Sequence, residues 1–436
     1  MTFFSVIVAT KGLAARPTLY DTLRSLANQT FKDFELITDD SGPTEYHARN
    51  RAARRAKGEV LAFTDDDTLP PPDWLEKAAH YFRNNPDLVM LTGPVEGDVF
   101  GWGKKLHISE PFWAIGCNIF IRRKEFVELG GFEEDWGLNP PPDRGWRGDT
   151  GLCYSVLDRY GYSSYLHAED VVNVHPSPMQ SVWHPGVEAE FYRRHRSKVL
   201  RYIAPYDPRL CQFVVLNKVE TDPRVLRYLA HDQKPRLDVI RQKAHKLDYK
   251  YRGRLRILDV GCEDGFLFAG CGYDYTGVDI DAYEVEGNFV QLDVDKPWPF
   301  RDMDFHLVVL GEVLEHVENP VHVLREAIRV SSDTVIATVP DEYSWPESKA
   351  PLLTREERMK RDGFKDVDEM ARHFASKSPF LKELVSEKVK PHLWHRRWFT
   401  LETLKKTIEE STDKKYEVFK VGTPDGFSWF VVEIRS

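Results

Sequence analysis

Residues Val60–Asp67, with the sequence VLAFTDDD, decide how the first half of the chain is interpreted. A short apolar run ends in three consecutive aspartates, and Pro70–Pro72 follow closely, so the acids are predicted where a buried strand gives way to a loop. Adjacent carboxylates repel one another, and Mg²⁺ or Mn²⁺ would neutralise them while leaving positions for phosphate oxygens. An acidic turn with helix-capping aspartates is the alternative, and the surrounding sequence decides between the two.

The residues up to about 180 alternate between predicted strands and helices. Phe3–Thr10 is an almost continuous apolar run, Phe34–Thr38 is a second strand, and the run before the three aspartates is a third. This order predicts an α/β domain with a parallel sheet and short crossovers. Ligands of such sheets bind at the carboxyl ends of the strands, so we expect Thr10, Asp39 and Asp40 to share one edge with the three aspartates.

Four blocks of this region resemble family 2 glycosyltransferases of the GT-A fold. They are VIVATKG, FELITDDSG, HARNRAARRAKGEVLAFTDDDTLPPPDWL and GCNIFIRRKEFVELGGFEED, and the resemblance covers residues 3–178. It implies an inverting, metal-dependent transfer of a sugar from a UDP- or GDP-linked donor. A nucleotidyltransferase-like domain of the same architecture is the alternative, although Ala9–Leu13 matches the Gly-rich, Arg-containing loop of those enzymes poorly.

The resemblance assigns donor-binding roles to individual residues. It implies that Asp39 or Asp40 hydrogen-bonds the nucleobase of the donor. Arg49 would approach the base or the diphosphate, because a guanidinium group suits phosphate oxygens. Thr10 and Asp66 complete the predicted donor-binding set.

The resemblance also implies a metal site. Asp65 and Asp67 match the two ends of the Asp-x-Asp pattern that holds Mn²⁺ or Mg²⁺ on the diphosphate of the donor. That cation neutralises charge as the nucleoside diphosphate leaves. His175, after a last short predicted strand, would add a nitrogen ligand, and a simple turn residue is the alternative for it.

Asp149 is the predicted base for the acceptor hydroxyl, at the start of a predicted helix. The family places an acidic motif in this register, but with Glu before the Asp, whereas this chain has Gly148 and a proline-rich insertion ahead of it. Asp143 or Glu134 is therefore an alternative base. A helix-capping role is the alternative for Asp149 itself.

Residues 181–253 are predicted to form a helical connector between two domains. Although the whole chain carries a net charge of −9, Gly186–Arg256 contains 18 Lys/Arg and 8 Asp/Glu. An anionic acceptor, a lipid surface or a nucleic acid would suit such a stretch, but helices paired with acidic neighbours are the preferred interpretation. No nucleic-acid partner is expected, because no recognisable binding module accompanies the basic residues.

A second α/β unit is predicted from residue 254 to residue 436. Its blocks LDVGCEDG, GVDID, FVQLDVDKPWPF, DFHLVVLGEVLEHVENPVHVLREAIRV and TVIATVP together resemble class I S-adenosylmethionine-dependent methyltransferases. A helix is expected after the Gly-rich loop, and KYEVFKV and FSWFVVEI are predicted to form a closing hairpin. The chain as a whole is thus predicted to contain two Rossmann-like domains joined by the connector.

This second resemblance implies a set of cofactor-binding residues. Gly261 and Gly265 would lie along the methionine part of S-adenosylmethionine, Asp279 at the ribose and Asp293 near the adenine. Glu263 stands where the family usually has a glycine, so a scaffold that only binds the cofactor or a glycan is the alternative. The full predicted set is Asp259, Gly261, Gly265, Asp279, Asp293 and Gly311.

Glu312, Glu315 and His316 are predicted to share one face of a helix, at positions i, i+3 and i+4. The same pattern occurs in methyltransferases in which a divalent ion grips the hydroxyls of the acceptor with help from a distant histidine, here His392 or His395. Internal hydrogen bonding without metal is the alternative. The residues from 340 to 391 are predicted to form a helical lid over the methyl acceptor.

Together these features predict a bifunctional enzyme that transfers a sugar and O-methylates a hydroxyl, with the same glycan or lipid-linked glycan as the expected acceptor of both. The five scattered cysteines are odd in number and lack metal-ligand spacing, as is typical of reduced thiols in a cytoplasm. No apolar run approaches the roughly 18 residues that span a bilayer, although peripheral membrane association remains open.

Overall fold

A computed structural model describes residues 2–12, 14–97, 106–108, 110–142, 146–176, 183–231, 233–341, 397, 399–424 and 426–435. Asp143, His392, His395 and nearly all of the predicted lid lie outside these residues. The chain forms two compact units, Met1–Val219 and Glu220–Ser436. The division into 1–180, 181–253 and 254–436 stays a prediction. Every helix among the described residues is too short or too polar to cross a bilayer.

The first unit is built on a six-stranded sheet and a smaller three-stranded one, with helices between the strands. Its strands are β1 (Phe4–Ala9), β2 (Phe34–Asp39), β3 (Val60–Asp65), β4 (Met90–Thr92), β5 (Val95–Gly97), β6 (Leu106–Ile108), β7 (Ile119–Arg122), β8 (Tyr165–His167) and β9 (Asn173–Val174). Its helices are α1 (Leu19–Ala27), α2 (Glu45–Arg55), α3 (Trp74–Asn84), α4 (Arg123–Glu128), α5 (Gly148–Tyr160), α6 (Pro185–Tyr202) and α7 (Pro208–Leu216).

The large sheet of the first unit has the order β2-β1-β3-β7-β4-β8. Strands β1, β2 and β3 are parallel, and β7 runs antiparallel to β3 and β4. The apolar runs of β1 and β3 are almost completely buried, and Trp74 and Leu75 of α3 pack in the same core. In the register of the sheet Ala9 lies opposite both Asp39 and Asp65, so the carboxyl ends of the three strands are level.

The second unit contains one seven-stranded sheet. Its strands are β10 (Arg256–Val260), β11 (Asp274–Asp279), β12 (Asn288–Gln291), β13 (Phe305–Gly311), β14 (Ser331–Pro340), β15 (Tyr416–Gly422) and β16 (Ser428–Arg435). Its described helices are α8 (Pro223–Leu229), α9 (Lys234–Lys250), α10 (Pro320–Val330) and α11 (Leu401–Ser411).

The order of this sheet is β12-β11-β10-β13-β14-β16-β15. The first five strands are parallel, whereas β16 runs antiparallel to β14 and β15. The predicted closing hairpin is therefore confirmed. The strand order reverses between β10 and β13, and ligands of such sheets bind beside that reversal, at the carboxyl ends. The predicted α/β fold is confirmed in both units.

Two predicted helices of the second unit are wrong. Turns occupy residues 261–272, because Gly261, Glu263 and Gly265 all have positive φ, at 72°, 46° and 73°, and such backbone breaks a helix. Turns and bends also occupy residues 312–318, where Glu312 has a φ of 58°. Helix α10 begins only at Pro320, whose ring suits the first helical position.

Many basic side chains of the stretch 186–256 are paired within their own unit. Lys198 lies 2.5 Å from Asp158, and Lys243 lies 2.5 Å from Glu433. Further pairs are Arg194 with Glu190, Arg227 with Glu263, Lys234 with Asp238 and Lys250 with Asp333. These contacts favour the interpretation that the basic helices pair with their acidic neighbours.

Candidate active sites

The structure brings the three predicted metal ligands of the first unit together. Asp65 ends β3, Asp67 follows it, and His175 follows β9; their ligand atoms all lie within 4.8 Å of one another. The Nε2 atom of His175 is 3.2 Å from Oδ1 of Asp67. His175 is buried and the two carboxylates are half-buried. Two carboxylates and one imidazole, still reachable from solvent, fit Mn²⁺ or Mg²⁺.

Hydrogen bonds from β9 and the aspartate loop hold His175 in this place. The side-chain amide of Asn173 donates to Oγ1 of Thr64 at 3.0 Å and to the carbonyl of Cys117 at 2.6 Å. The hydroxyl of Thr68 donates to the carbonyl of Asp65 at 2.9 Å. The loop after β3 and the strand before His175 are thus tied to the same framework, which fixes the spacing between the ligands.

Arg49 lies beside the metal-ligand group, on α2. Its side chain is almost fully buried and forms an ion pair with Oδ1 of Asp65. Burial alone would lower its pKa, but the charges of Asp65, Glu45 and Asp149 together outweigh burial, and the pKa of Arg49 is raised. The guanidinium carbon also lies 5.7 Å from the ring centroids of Tyr46 and of Phe132. Arg49 therefore offsets part of the repulsion among the aspartates.

The two acids after β2 differ in their surroundings. Asp39 is buried and accepts a hydrogen bond from the amide of Ser41 at 2.9 Å, while Arg55 lies 2.7 Å from its other oxygen. Burial alone would raise its pKa, but these hydrogen bonds and the nearby arginine charges keep the pKa of Asp39 lowered. Asp40 is exposed. Of the two, Asp39 has the fixed position at the strand end.

Thr10 and Asp66 meet on the same edge of the sheet. The amide of Thr10 donates to the carbonyl of Asp39 at 2.9 Å, which follows from the level strand ends. Asp66 is buried and receives a hydrogen bond from the side chain of Thr10. Burial, together with the neighbouring charges of Asp65 and Asp67, raises the pKa of Asp66. Thr10 and Asp66 thus lie at the same strand ends as Asp39, another residue of the predicted donor-binding set.

Asp149 lies in the first turn of α5 and is held from three sides. Its Oδ2 accepts a hydrogen bond from the amide of Gly116 at 3.0 Å, and its Oδ1 accepts one from the amide of Thr150 at 2.8 Å. Its own amide donates to the hydroxyl of Tyr46 at 3.3 Å. Burial raises the pKa of Asp149 although the charge of Arg49 opposes this, and a raised pKa suits a general base.

The ring of Tyr46 explains why a glycine, Gly148, precedes Asp149. A Cβ atom on Gly148 would lie 2.5 Å from Cε2 of the Tyr46 ring. That ring is buried and stacks on Phe132 with a centroid distance of 5.2 Å. The Glu that the family pattern has here would collide with it.

Glu134, the described alternative to Asp149, already has partners. One of its oxygens accepts a hydrogen bond from the side-chain amide of Asn50 at 2.8 Å, and the other lies 3.3 Å from Nε2 of His47. Asn50 also exchanges two hydrogen bonds with the backbone of Phe132. Glu134 thus helps to fix the turn at Phe132.

A buried ion network that sequence reasoning missed fixes the residue at the start of α5. Arg147, with a φ of 60°, places its Nε 3.0 Å from Glu188 and its Nη2 3.4 Å from Asp207. All three side chains are buried, and Glu188 also accepts a hydrogen bond from the indole of Trp146. Glu188 belongs to α6 and Asp207 caps α7, so these helices set the position of the loop that carries Asp149.

The predicted cofactor residues of the second unit lie at the carboxyl edge of its sheet. Gly261 follows β10, and a Cβ atom there would lie 2.7 Å from Cγ2 of Val313, so only glycine fits. Asp279 ends β11 and accepts hydrogen bonds from the amides of Glu263 at 3.0 Å and Asp281 at 3.1 Å. These contacts tie the turn after β10 to the end of β11.

Glu263, which replaces a family glycine, adopts the left-handed backbone that glycine would favour. Its side chain is about half exposed, at 47%, and forms an ion pair with Arg227 of α8. Arg227 also lies 3.3 Å from Asp264. The side chain of Glu263 thus turns outward, away from the glycines that the cofactor would need.

Asp259, Asp293 and Gly311 complete the same edge. Asp259 is buried and its Oδ2 accepts a hydrogen bond from the hydroxyl of Tyr275 at 3.0 Å. Burial, aided by the charge of Asp279, raises its pKa to about 7. Asp293 follows β12 and is half-buried, and Gly311 ends β13.

Glu312, Glu315 and His316 lie in the turn after β13 rather than on a helix. Both carboxylate oxygens of Glu312 are engaged, one 3.1 Å from Arg236 and the other 2.8 Å from the indole nitrogen of Trp429. In the part of the chain that the structure describes, these three residues do not form a group of convergent ligand atoms, whereas those of the first unit do.

Comparison with known proteins gives two family matches. Residues 46–133 match Glycosyl transferase family 2, and residues 218–410 match a Methyltransferase domain. A curated relative, the glucosyl-dolichyl phosphate glucuronosyltransferase of Haloferax volcanii, is 25% identical over 30% of this chain and 56% of its own length. The chain thus spans only about half of the curated relative that it matches.

Solved structures of both kinds of enzyme are similar to part of the chain. The S. aureus TarS 1–349 complex with UDP-GlcNAc is 15% identical, covers 57% of this chain and 81% of its own, and has a TM-score of 0.35. A SAM dependent methyltransferase from Archaeoglobus fulgidus is 16% identical, covers 48% of this chain and 99% of its own, and has a TM-score of 0.29. By these matches, the chain carries a glycosyltransferase family 2 domain and a methyltransferase domain.

Proposed function

We propose that the first unit transfers a sugar, with inversion, from a UDP- or GDP-linked donor to a hydroxyl of a glycan or lipid-linked glycan. The observation that carries this proposal is the convergence of Asp65, Asp67 and His175 at the level carboxyl ends of parallel strands. The relative from Haloferax volcanii is a glucosyl-dolichyl phosphate glucuronosyltransferase, which supports a lipid-linked acceptor.

The three ligands would hold the diphosphate of the donor through Mn²⁺ or Mg²⁺, which would neutralise charge on the leaving group. The acceptor oxygen forms a bond to the anomeric carbon while the bond from that carbon to the diphosphate oxygen breaks. The hydroxyl proton passes to Asp149, and the electron pair of the broken bond leaves with the nucleoside diphosphate. Thr10, Asp39, Asp40, Arg49 and Asp66 are proposed to hold the donor.

We propose that the second unit O-methylates a hydroxyl, on the same class of glycan, with S-adenosylmethionine as the methyl source. Asp279 would hold the ribose hydroxyls, while Gly261 and Gly265 let the methionine part approach the backbone. Asp259, Asp293 and Gly311 would line the rest of the cofactor crevice. A non-catalytic module that only binds the cofactor or a glycan is the alternative, and the outward side chain of Glu263 supports cofactor binding at this site.

A polysaccharide or glycolipid pathway in the cytoplasm is the proposed setting. All five cysteines are free thiols in the structure, as is typical of proteins in reducing compartments. Two sites in one chain favour a shared pathway by association only.

Product analysis tests both activities. The chain would be incubated with UDP- and GDP-sugars, Mn²⁺, a mixed lipid-linked glycan fraction and methyl-labelled S-adenosylmethionine. We expect release of a nucleoside diphosphate together with label in the glycan fraction. Release of pyrophosphate would instead indicate nucleotidyl transfer, and release of diphosphate without labelled glycan would refute the proposed methyl acceptor.

A further inference from the structure

The carboxyl edge of the second sheet carries a buried arginine that the proposed reactions do not use. Arg236 lies on α9, is 5% exposed and donates through Nη1 to the hydroxyl of Thr338 at 3.2 Å. Its Nη2 donates to the side chain of Gln233 at 3.0 Å and lies 3.1 Å from Glu312. A Cβ atom on Gly311 would lie 3.7 Å from Nη1.

These contacts place a fixed positive charge beside the reversal of strand order. Gly311 ends β13 and Glu312 follows it, Thr338 belongs to β14, and the charge of Arg236 also acts on Asp259 of β10. The Nε atom of Arg236 has no hydrogen-bond partner among the described residues, so the contacts of its two terminal nitrogens with Thr338, Gln233 and Glu312 hold the group. A buried guanidinium needs such a counter-charge, since an unpaired buried charge is strongly unfavourable.

Glu312 is the first acid of the Glu-x-x-Glu-His pattern that suggested a divalent ion. Its two oxygens are occupied by the guanidinium of Arg236 and by the indole of Trp429. The left-handed backbone at Glu312 and the turn that follows also remove the common helix face on which the metal prediction depended. A divalent ion on the carboxylate of Glu312 would be repelled by the guanidinium of Arg236, which already neutralises that carboxylate. The described residues therefore do not fit a metal here.

We propose that Arg236 is the internal counter-ion of Glu312 and takes the place of a divalent ion beside the cofactor crevice, so that the second unit works without metal. The inference rests on the proposed methyl transfer. It makes Arg236 a positioning residue, which acts by neutralising Glu312 and fixing the turn after β13.

The first arm of the test measures metal binding. Asp65→Asn combined with Asp67→Asn removes the two carboxylate ligands of the metal site in the first unit. Bound Mn²⁺ is then counted by electron paramagnetic resonance, with and without S-adenosylhomocysteine. We expect no Mn²⁺ on this double variant and the same S-adenosylhomocysteine affinity in Mn²⁺ and in EDTA. A bound Mn²⁺ that disappears on adding Glu312→Gln would overturn the inference. If S-adenosylhomocysteine does not bind at all, the proposed methyl transfer fails instead.

The second arm asks whether Arg236 fills the place of the ion. In the same double variant, Arg236→Gln leaves the Glu312 carboxylate without its cation, so we expect a lower Tm that millimolar Mn²⁺ partly restores. Adding Glu312→Gln should abolish the Mn²⁺ response, because no charge then needs neutralising. Lys243→Gln, which breaks an ion pair of the same helix, is the control and should show no response. An unchanged Tm for Arg236→Gln, or an equal Mn²⁺ response in the control, would refute the assigned role.

Discussion

Glu188→Gln perturbs the buried ion network that holds the loop of the proposed base. Glu188 is fully buried and faces Nε of Arg147 at 3.0 Å, whereas the remaining acid, Asp207, lies farther away at 3.4 Å. Breaking a buried pair costs about 3–5 kcal/mol, and because Asp207 still offsets part of the charge, we expect a loss of about 2–3 kcal/mol. For a unit of this size that corresponds to a Tm decrease of roughly 4–12 °C.

The same substitution should lower turnover of the nucleotide sugar while leaving the affinity for the nucleoside diphosphate almost unchanged. The hydrogen bonds of Asn173 and Thr68 that hold the metal site run to Thr64, Cys117 and Asp65, none of which belongs to the network. Affinity for the nucleoside diphosphate with Mn²⁺ should therefore stay within about twofold. Turnover of the nucleotide sugar should fall at least about tenfold, because small displacements of a catalytic group reduce rates strongly.

Calorimetry gives the affinity, release of nucleoside diphosphate gives the turnover, and a melting curve gives the Tm. Glu190→Gln is the matched control: it removes a partly exposed acid two residues further along the same helix, paired with Arg194, and should cost less than about 1 kcal/mol. Turnover of Glu188→Gln equal to that of the control, or an equal loss of diphosphate affinity and turnover, would refute the reasoning.

Three further predictions concern single residues of the two sites. Gly148→Ala should lower stability by about 1–3 kcal/mol in a denaturant titration, because its Cβ meets a buried ring; wild-type stability would contradict the steric argument. The raised pKa of Asp259 means that the folded chain binds more protons than the unfolded chain between about pH 4 and 7. Relative to Asp259→Asn, the wild type should therefore lose stability as pH rises through that window, by up to roughly 4 kcal/mol, and a pH-independent difference in Tm would contradict this. Asp279→Ala should weaken S-adenosylhomocysteine binding at least about tenfold in calorimetry, because a charged hydrogen-bond acceptor for the ribose is lost, whereas Asp274→Ala, at the opposite end of the same strand, should not.

The parts of the fold that sequence predicted are those set by local pattern. Apolar runs located β1, β2 and β3 to within about a residue. Strands β1 and β3 are buried inside the parallel sheet and therefore read as continuous apolar runs, whereas β2 is its partly exposed edge strand. The convergence of Asp65 with Asp39 also followed, since parallel strands of similar length end at one edge.

The parts that sequence did not predict depend on contacts between distant segments. The helix expected at Glu312 is absent because the residue takes a left-handed conformation while its side chain pairs with Arg236, which lies 76 positions earlier in the sequence. The network of Arg147 with Glu188 joins two helices that carry no shared motif. An acid inside a strongly basic helix was the available signal for Glu188, since a buried partner explains such a residue.

Calorimetric titration of the whole chain with S-adenosylhomocysteine, and with uridine and guanosine diphosphates plus Mn²⁺, tests the central claim of two independent transferase sites most directly. The titrations are repeated on Asp67→Ala and Asp279→Ala. We expect Asp67→Ala to abolish only the Mn²⁺-dependent binding of a nucleoside diphosphate, and Asp279→Ala to weaken only the binding of S-adenosylhomocysteine. Absence of S-adenosylhomocysteine binding to the wild type, or loss of both ligands in either variant, would contradict the account.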